Sequence, residues 1–473
     1  LVNGILLRPL PYPESDRLVR VIQSYPEIGL DTWGLSQQNI ALYRDRSTDF
    51  AAFTAYRSGT VTIRGSGGPQ RLQILRVTSE FFRVVGVNPA IGRSFTAEED
   101  SPGKNTAVIL SHGTWQTRFG GSPSIVGTTM DVDGQPFRIV GVMPPGFAFP
   151  RPDVAAYVPM GLDPLRGFGY VNSGLGRLKP GIAPEHAERQ TTAIMWDWAR
   201  QNRRNAKTSV DPSKTRMKTI VRPLHEVITG RSARPLMVLL AAVGLILLIA
   251  IANVATLLSG RAAARQREIS LRVALGANRR RVLRQLLTES IALALLGAVA
   301  GVSLAGVAVR VFTHSTLATL PRIDEVRVDG RVLAFTLVVS VVSGLLFGLL
   351  PAIHAGRPRL TEALTAGQRE SSRGSSRTVN NALVVAQLSL SVVLLIAAGL
   401  VLKSFQRLTQ LDLGFRPEGV TSIALALPQR IGQSAAAIKA FQDVALQSVR
   451  AVPGVQSASL AWALPIEGGG NYD

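Results

Sequence analysis

Cysteine is absent from all 473 residues, which removes disulfide frameworks, thiolate metal sites and cysteine nucleophiles and leaves the redox compartment open. Histidine is scarce. His112, His186, His225, His314 and His354 are scattered, and none has the i, i+4 partner that would put two imidazoles on one helix face for a metal. His225-Glu226 begins like a zinc-protease helix, but the position four residues after His225 is Thr229. No G-x-x-x-x-G-K-[ST] loop occurs, so these residues cannot cradle nucleotide phosphates in that way, and any ATP chemistry has to come from another subunit. With no catalytic constellation, the chain reads as a non-enzyme that binds neither metal nor cofactor itself.

What the sequence has instead is positive charge and long uncharged runs. A formal charge of +21 raises nucleic acid and anionic membrane as partners. The densest arginine clusters abut apolar runs rather than exposed aromatics, which selects the lipid bilayer and excludes nucleic acid. Leu236 to Leu258 is an uncharged run of 23 residues, more than the roughly 20 a bilayer requires. Ser290 to Val309, Val332 to Ile353 and Ala382 to Leu402 are likewise uncharged, predicting four complete membrane helices within segments 231–259, 290–309, 332–353 and 382–402. Because these spans hold no Asp, Glu, Lys, Arg or His, ion-coupled transport lacks its usual carriers. Asn253 and Gln387 read as interhelical hydrogen-bonding groups, and Gly297 with Gly301 and Gly344 with Gly348 as small-residue pairs for close helix approach or a dimer seam.

The chain starts without Met, a charged n-region or a cleavage site, so it reads as a fragment. Leu1 to Leu7 covers only about 10 Å as helix, and residues 1–13 are expected to be the end of a truncated membrane helix stopped by Arg8, Pro9, Pro11 and Pro13. Residues 14–230 show short alternating runs broken by Gly and Pro, the pattern of a mixed α/β domain. Expected strands are Leu18 to Ile22, Thr60 to Arg64, Arg71 to Val77 and Gly169 to Leu178. A hairpin of Thr129 to Val132 with Gln135 to Val142 turns at Asp133-Gly134. Helices are expected from an N-cap at Ser36 through Tyr43, and from Pro184 to Arg200.

Loop charge sets the orientation. The loop between the first two spans (260–289) carries eight Arg and the loop 354–381 carries five, whereas 310–331 carries four Arg among three acids. The two basic loops are therefore expected in the cytoplasm, with the α/β domain, 310–331 and 403–473 on the other side. In 403–473, Gly419 to Leu427, Ala435 to Arg450 and Val455 to Trp462 read as strand, helix, strand. That order repeats the start of the α/β domain and points to an internal duplication, the second copy truncated.

The segment 260–289 is basic yet too apolar for a solvated tail. Gly276-Ala277-Asn278 divides it into helix, turn and second helix, and Arg279, Arg280 and Arg281 sit in the first turn of the second, where the helix dipole disfavours cations. They fit either lipid headgroups or an acidic partner surface.

Arg267 to Ala277 (REISLRVALGA), followed by an Arg-rich helix and Leu286-Leu287-Thr288-Glu289-Ser290, resembles the cytoplasmic signature of MacB/FtsX-type ABC transporter permeases. Upstream, Thr78-Ser79-Glu80-Phe81-Phe82, Val85-Gly86-Val87, Gly92-Arg93, Trp115 with Phe119-Gly120-Gly121, and Ile139 to Val142 before Pro144 are similar to that family's periplasmic core domain. Ser270 stands where Gly is frequent and Val273 where a second basic residue is common. The resemblance implies a multi-pass protein of the bacterial inner membrane, its large domain facing the periplasm, moved by a cytoplasmic ABC ATPase subunit that supplies the ATP hydrolysis. It implies Arg267, Glu268, Ile269, Arg272, Leu275, Gly276, Arg279 and Arg280 as ATPase-coupling residues. Partners implied beyond the ATPase are a periplasmic or outer-membrane protein, and either a dimer or a duplicated single chain. Efflux and activation of a periplasmic cell-wall enzyme share every one of these features.

Because the chain has no native cysteine, its orientation can be read by single-cysteine labelling. A membrane-impermeant maleimide on spheroplasts should label Ser101→Cys at once and Ser372→Cys only after permeabilisation; the reverse order would invert the topology.

Overall fold

The computed structural model describes residues 6, 8–28, 30–65, 68–165, 169–201, 217–264, 279–313, 329–355, 374–410, 419–423 and 435–461. Contacts divide the chain into two units, Pro9–Ile228 with Thr421–Asp473, and Leu1–Arg8 with Thr229–Val420.

The first unit is built on one eleven-stranded mixed sheet. Its strands are β1 (Leu18–Tyr25), β2 (Leu30–Trp33), β3 (Phe50–Gly65), β4 (Gly68–Val77), β5 (Ile91–Gly92), β6 (Ala107–Leu110), β7 (Thr129–Val132), β8 (Gln135–Val142), β9 (Ala156–Pro159), β10 (Ser173–Leu178) and β11 (Lys218–Pro223). The main path runs β11-β1-β10-β3-β4-β9-β6-β8-β5, with β2 beside β1 and β7 bridging β3 and β8. The helices are α1 (Gln37–Arg46), α2 (Phe81–Val85), α3 (His112–Phe119) and α4 (Pro184–Gln201).

Local chemistry explains why the elements begin and end where they do. Ser36 has extended backbone and its hydroxyl accepts a hydrogen bond from the Asn39 amide at 3.2 Å, capping α1 as expected. Ser111 caps α3 in the same way, and α3 ends at Gly120 with φ 62°. The β7–β8 hairpin has the expected limits, with φ 54° at Asp133 and 80° at Gly134, the two positive angles its two-residue turn requires. Tertiary pairing extends other strands beyond their sequence signal. β3 starts at Phe50 because its first half pairs with β10, whereas only its second half alternates clearly. β10 is shorter than the expected Gly169 to Leu178 run, beginning at Ser173 after an isolated bridge between Leu35 and Asn172.

β1 is paired by β10 and β11 and buried on both faces. Leu18 enters a cluster with Tyr56, Leu75, Val77 and the α2 residues Phe81, Phe82, Val84 and Val85. Val19 and Val21 enter an opposite cluster with Ile40 and Tyr43 of α1 and Ala187 and Met195 of α4. The alternation follows from the period of two along a strand. A third cluster joins the outer β3–β4 ladder to β6, β8 and β9, with Trp115 and Phe119 of α3 against it. Burial has an electrostatic signature here: the phenol of Tyr43, wholly buried, has its pKa pushed up to about 12.

The second unit is helical. Its helices are α5 (Leu224–Ala264, whose first residues belong to the first unit), α6 (Arg279–Thr313), α7 (Gly330–Ala355) and α8 (Gly374–Thr409). Three are long and apolar enough to cross a membrane, through Ala233–Val254, Leu287–Val311 and Val384–Thr409. The fourth expected span lies on α7, but the apolar stretch found among its described residues, Gly330–Leu345, is shorter than the roughly 20 residues a bilayer needs. By length and composition three spans stand among the described residues, and the fourth is not confirmed.

α9 (Ala435–Arg450) coincides with the helix expected in the C-terminal segment. The flanking strands do not form over residues 419–423 and 455–461, because among the described residues no neighbouring strand pairs with them, and an unpaired strand leaves its ladder groups without partners. Leu1 to Leu7, apart from residue 6, and residues 424–434 and 462–473 lie outside the described residues.

Phe81 is fully buried and meets Tyr56, Phe82, Phe149 and Tyr157 with ring centroids 5.3–6.3 Å apart. Phe81→Ala should cost about 3–5 kcal/mol of stability in this unit. Hydrogen exchange on the full chain would show it as loss of protection on β4 and β9, with the membrane helices unchanged.

Candidate functional site

The residues expected to couple to an ATPase fall mostly outside the description. Arg267, Glu268, Ile269, Arg272, Leu275 and Gly276 lie in 265–278, outside the described residues, while Arg279 and Arg280 are the first two residues of α6. Of the glycines expected to pack helices, Gly344 is the one in a close contact. A Cβ added there would sit 3.3 Å from the Ala294 Cβ and 3.4 Å from the Ile291 Cα, so α6 and α7 pack through it. Ser290 and Ser343 are buried at the same level of these helices. Gly297 and Gly301 meet nothing within 4 Å among the described residues of this single chain, and the surroundings of Gly348 lie outside the description. Asn253 is exposed and Gln387 half-buried, and among the described residues no hydrogen bond joins either to another helix.

Outward-facing side chains on these helices are strongly apolar. Leu296, Val299, Leu304 and Leu395 are all about 70% exposed, in the range 67–74%. In water such a surface would aggregate, whereas in hydrocarbon it is the required lipid-facing surface, with every backbone polar group satisfied inside the helix.

Sequence reasoning missed the junction that roots the soluble unit's two chain ends. Leu10 and Tyr12, just inside its N-terminal limit, and Leu224 and Ile228, just inside its other limit, belong to the same apolar cluster. The Tyr12 hydroxyl donates to the Ala148 carbonyl at 3.1 Å, and its ring meets Phe149 edge-on at 5.8 Å. Beside them lies Arg177 on β10, its side chain 11% exposed. Its Nε donates to the Val84 carbonyl (2.9 Å) and its Nη2 to that of Val85 (3.2 Å), both at the C-terminal end of α2. Its Nη1 donates to the carbonyls of Pro13 (2.9 Å) and Glu14 (3.1 Å), and lies 3.5 Å from the Glu14 carboxylate.

One planar guanidinium therefore ties four backbone carbonyls from two segments, a geometry Lys cannot reproduce. The cation also sits where the dipole of a helix end is negative. Burial lowers its pKa and the Glu14 carboxylate opposes that, so it remains charged. Glu14 itself takes a left-handed φ of 47°, a conformation a side chain of its kind seldom adopts, and Arg177 holds its carbonyl there. The one available signal, an arginine within an otherwise apolar strand sequence, does not say what it would meet.

The residues that carry the sequence resemblance serve packing and capping. Phe81 and Phe82 fill the core, Gly86 ends α2 at φ 80°, Arg93 makes a two-pronged ion pair with Glu99 (2.7 and 2.9 Å), and the Trp115 indole donates to the Ser122 carbonyl at 2.9 Å. They do not converge on a reactive centre, and no group of three metal-ligating side chains exists among the described residues.

Comparison with known proteins accords with this division. Residues 1–194 match the MacB-like periplasmic core domain, and residues 240–359 match the FtsX-like permease C-terminal domain. The chain is 26% identical over 292 residues to the macrolide export ATP-binding/permease protein MacB of Escherichia coli O157:H7, and 27% identical over 294 residues to that of Burkholderia pseudomallei strain 1710b. Each alignment covers 61% of this chain and 42% of the relative, so the chain spans about two fifths of the curated relatives it matches. Among solved structures, the periplasmic region of MacB from Actinobacillus actinomycetemcomitans aligns with 44% of this chain and 97% of its own, at 15% identity and a TM-score of 0.32. With a periplasmic core domain and a permease domain in that order on one chain, the protein is a MacB/FtsX-type ABC transporter permease.

Proposed function

We propose that the chain is the permease component of an exporter in which a separate cytoplasmic ABC ATPase subunit hydrolyses ATP and the periplasmic unit moves in response. The observation that supports this reading is the pairing of a folded α/β domain with apolar, lipid-compatible helices. The segment 260–289 is the docking surface in this reading, with Glu268, Ile269, Arg272, Leu275 and Gly276 facing the ATPase and Arg279 and Arg280 beside it. The names of the relatives supply the cargo class, since both are macrolide exporters. The protein works from the bacterial inner membrane.

The Arg177 junction has a defined part in such a mechanism. A domain that moves as a body has to hold its two chain ends firmly; here both are rooted in one apolar cluster, and one guanidinium ties the first of them to the end of α2.

Two measurements test the reading. Charge reversal in the pair Glu268→Lys and Arg272→Glu should abolish co-purification of the ATPase from native membranes and its stimulation by the permease; undiminished co-purification would sink the docking assignment. Recovery of a cell-wall hydrolase instead of an efflux partner would turn the function from export to enzyme activation. Arg177→Met should cost about 2–3 kcal/mol by leaving buried carbonyls unpaired. It should raise amide exchange around residues 13–18 and 84–87, and Arg177→Lys should not restore protection.

A further inference from the structure

The strand pair at one rim of the sheet, β1 with β11, carries three cations on a single face. In its antiparallel register Arg20 lies directly opposite Arg222, Ile22 opposite Ile220 and Ser24 opposite Lys218, so these side chains leave the same side of the sheet. The other side, with Val19, Val21 and Val221, is covered by α1 and α4. On the cationic side Ile22 and Ile220 are only half-buried and belong to none of the three apolar clusters.

Like charges directly opposite one another weaken a ladder. Arg20 adds a second cost. It is 9% exposed, its Nε is buried without a hydrogen-bond partner among the described residues, and its Nη2 makes one long hydrogen bond, to the Ser173 hydroxyl at 3.4 Å. Arg222 and Lys218 are exposed, and none of the ion pairs among the described residues includes them or Arg20. No acid stands on this face of either strand. A buried cation is tolerated best where a counter-charge reaches it, and here that charge has to arrive from outside the two strands.

The free edge of β11 does not offer a strand-pairing site. Its outward amides are taken by α4: that of Thr219 donates to Thr192 Oγ1 at 2.9 Å, and that of Val221 to Glu188 Oε2 at 3.1 Å. An incoming chain therefore meets the face and not the edge. Spacing sets what fits there. Lys218, Ile220 and Arg222 alternate as cation, apolar residue, cation, and the two cations are four residues apart, about 13 Å at about 3.3 Å per residue. An extended peptide with acids at its first and fifth positions and an apolar side chain at its third has the same repeat. We propose that the β1–β11 face binds an acidic, extended segment of a partner polypeptide. One carboxylate meets Arg20 and Arg222, whose guanidiniums suit its two oxygens, the other meets Lys218, and the apolar side chain between them covers Ile22 and Ile220. The proposal concerns the soluble unit alone and holds or fails whatever drives the membrane helices.

Isothermal titration of the full chain in phosphatidylcholine nanodiscs with the peptide Ser-Glu-Ser-Val-Ser-Glu-Ser tests it. Saturable binding at one site per chain is expected, at least fivefold tighter than for the isomer Ser-Ser-Val-Ser-Glu-Glu-Ser, whose acids are adjacent. Arg222→Gln and Lys218→Gln should each weaken it about three- to fivefold, the scale of a single exposed charge pair, and together at least tenfold. Arg83→Gln, an exposed cation on α2, should leave it unchanged. Amide exchange of β1 and β11 checks that the variants remain folded. Equal affinity for the two peptides, or binding indifferent to Arg222→Gln and Lys218→Gln in folded protein, would overturn the assignment. So would inorganic phosphate competing as well as the peptide itself, which makes the occupant a small anion. Exclusion of the peptide in phosphatidylglycerol nanodiscs, with the β11 amides protected by that lipid instead, would overturn it in favour of a headgroup.

Discussion

Apolar surface has to leave water, and the two units of this chain meet that constraint in opposite ways. The soluble unit turns it inward on both faces of one sheet, so that Leu18 and Val19, adjacent in sequence, sit in different clusters. The helical unit leaves it outside, with Leu296, Leu304 and Leu395 among its most exposed large side chains, because hydrocarbon takes the place of a protein core. Every other feature follows from where that division falls. Mixed polar patterning with turns belongs to the first regime and uncharged helices to the second.

Polar groups are placed by the same logic. Within the soluble core, Arg177 is tolerated because all its donor directions toward the backbone end on carbonyls, and Asp100 because its two carboxylate oxygens accept from the amides of Ser79 (2.8 Å) and Gly161 (3.0 Å). Burial still raises the Asp100 pKa against those hydrogen bonds. Its native form therefore binds its proton more tightly than the unfolded chain does, so its contribution to stability falls as pH rises through the window above the ordinary aspartate range. Arg76 differs from both. It lines a cavity opposite a second arginine in the strand register, without a hydrogen-bonding partner among the described residues, whereas the Arg177 guanidinium ends on backbone carbonyls.

The residues responsible for the family likeness and those with the most distinctive chemistry are largely different sets. Phe81, Gly86 and Trp115 set the packing and ends of elements, so they mark the fold. Arg57, Arg76 and Gln37 come together from separate elements to line one cavity.

Local patterns in the sequence determined the soluble unit's class, the Asp133-Gly134 hairpin, the Ser36 cap, the limits of α4 to within a residue, and the position of the membrane helices. These are legible because each depends on neighbours a few residues away: a hydroxyl and an amide three apart, two positive φ angles, a run long enough for hydrocarbon. Tertiary structure alone decided that β3 runs from Phe50, that residues 455–461 stay outside any strand, that Gly344 rather than Gly297 or Gly301 meets another helix, and that Arg177 clamps residues 13 and 84. Strand pairing, helix contact and buried ion placement join residues tens to more than a hundred positions apart, and no local periodicity records which partner will arrive. The facing of Arg57 by Arg76 is the sharpest instance: each is an ordinary polar residue on an alternating strand, and only the register of β3 against β4 makes the pair.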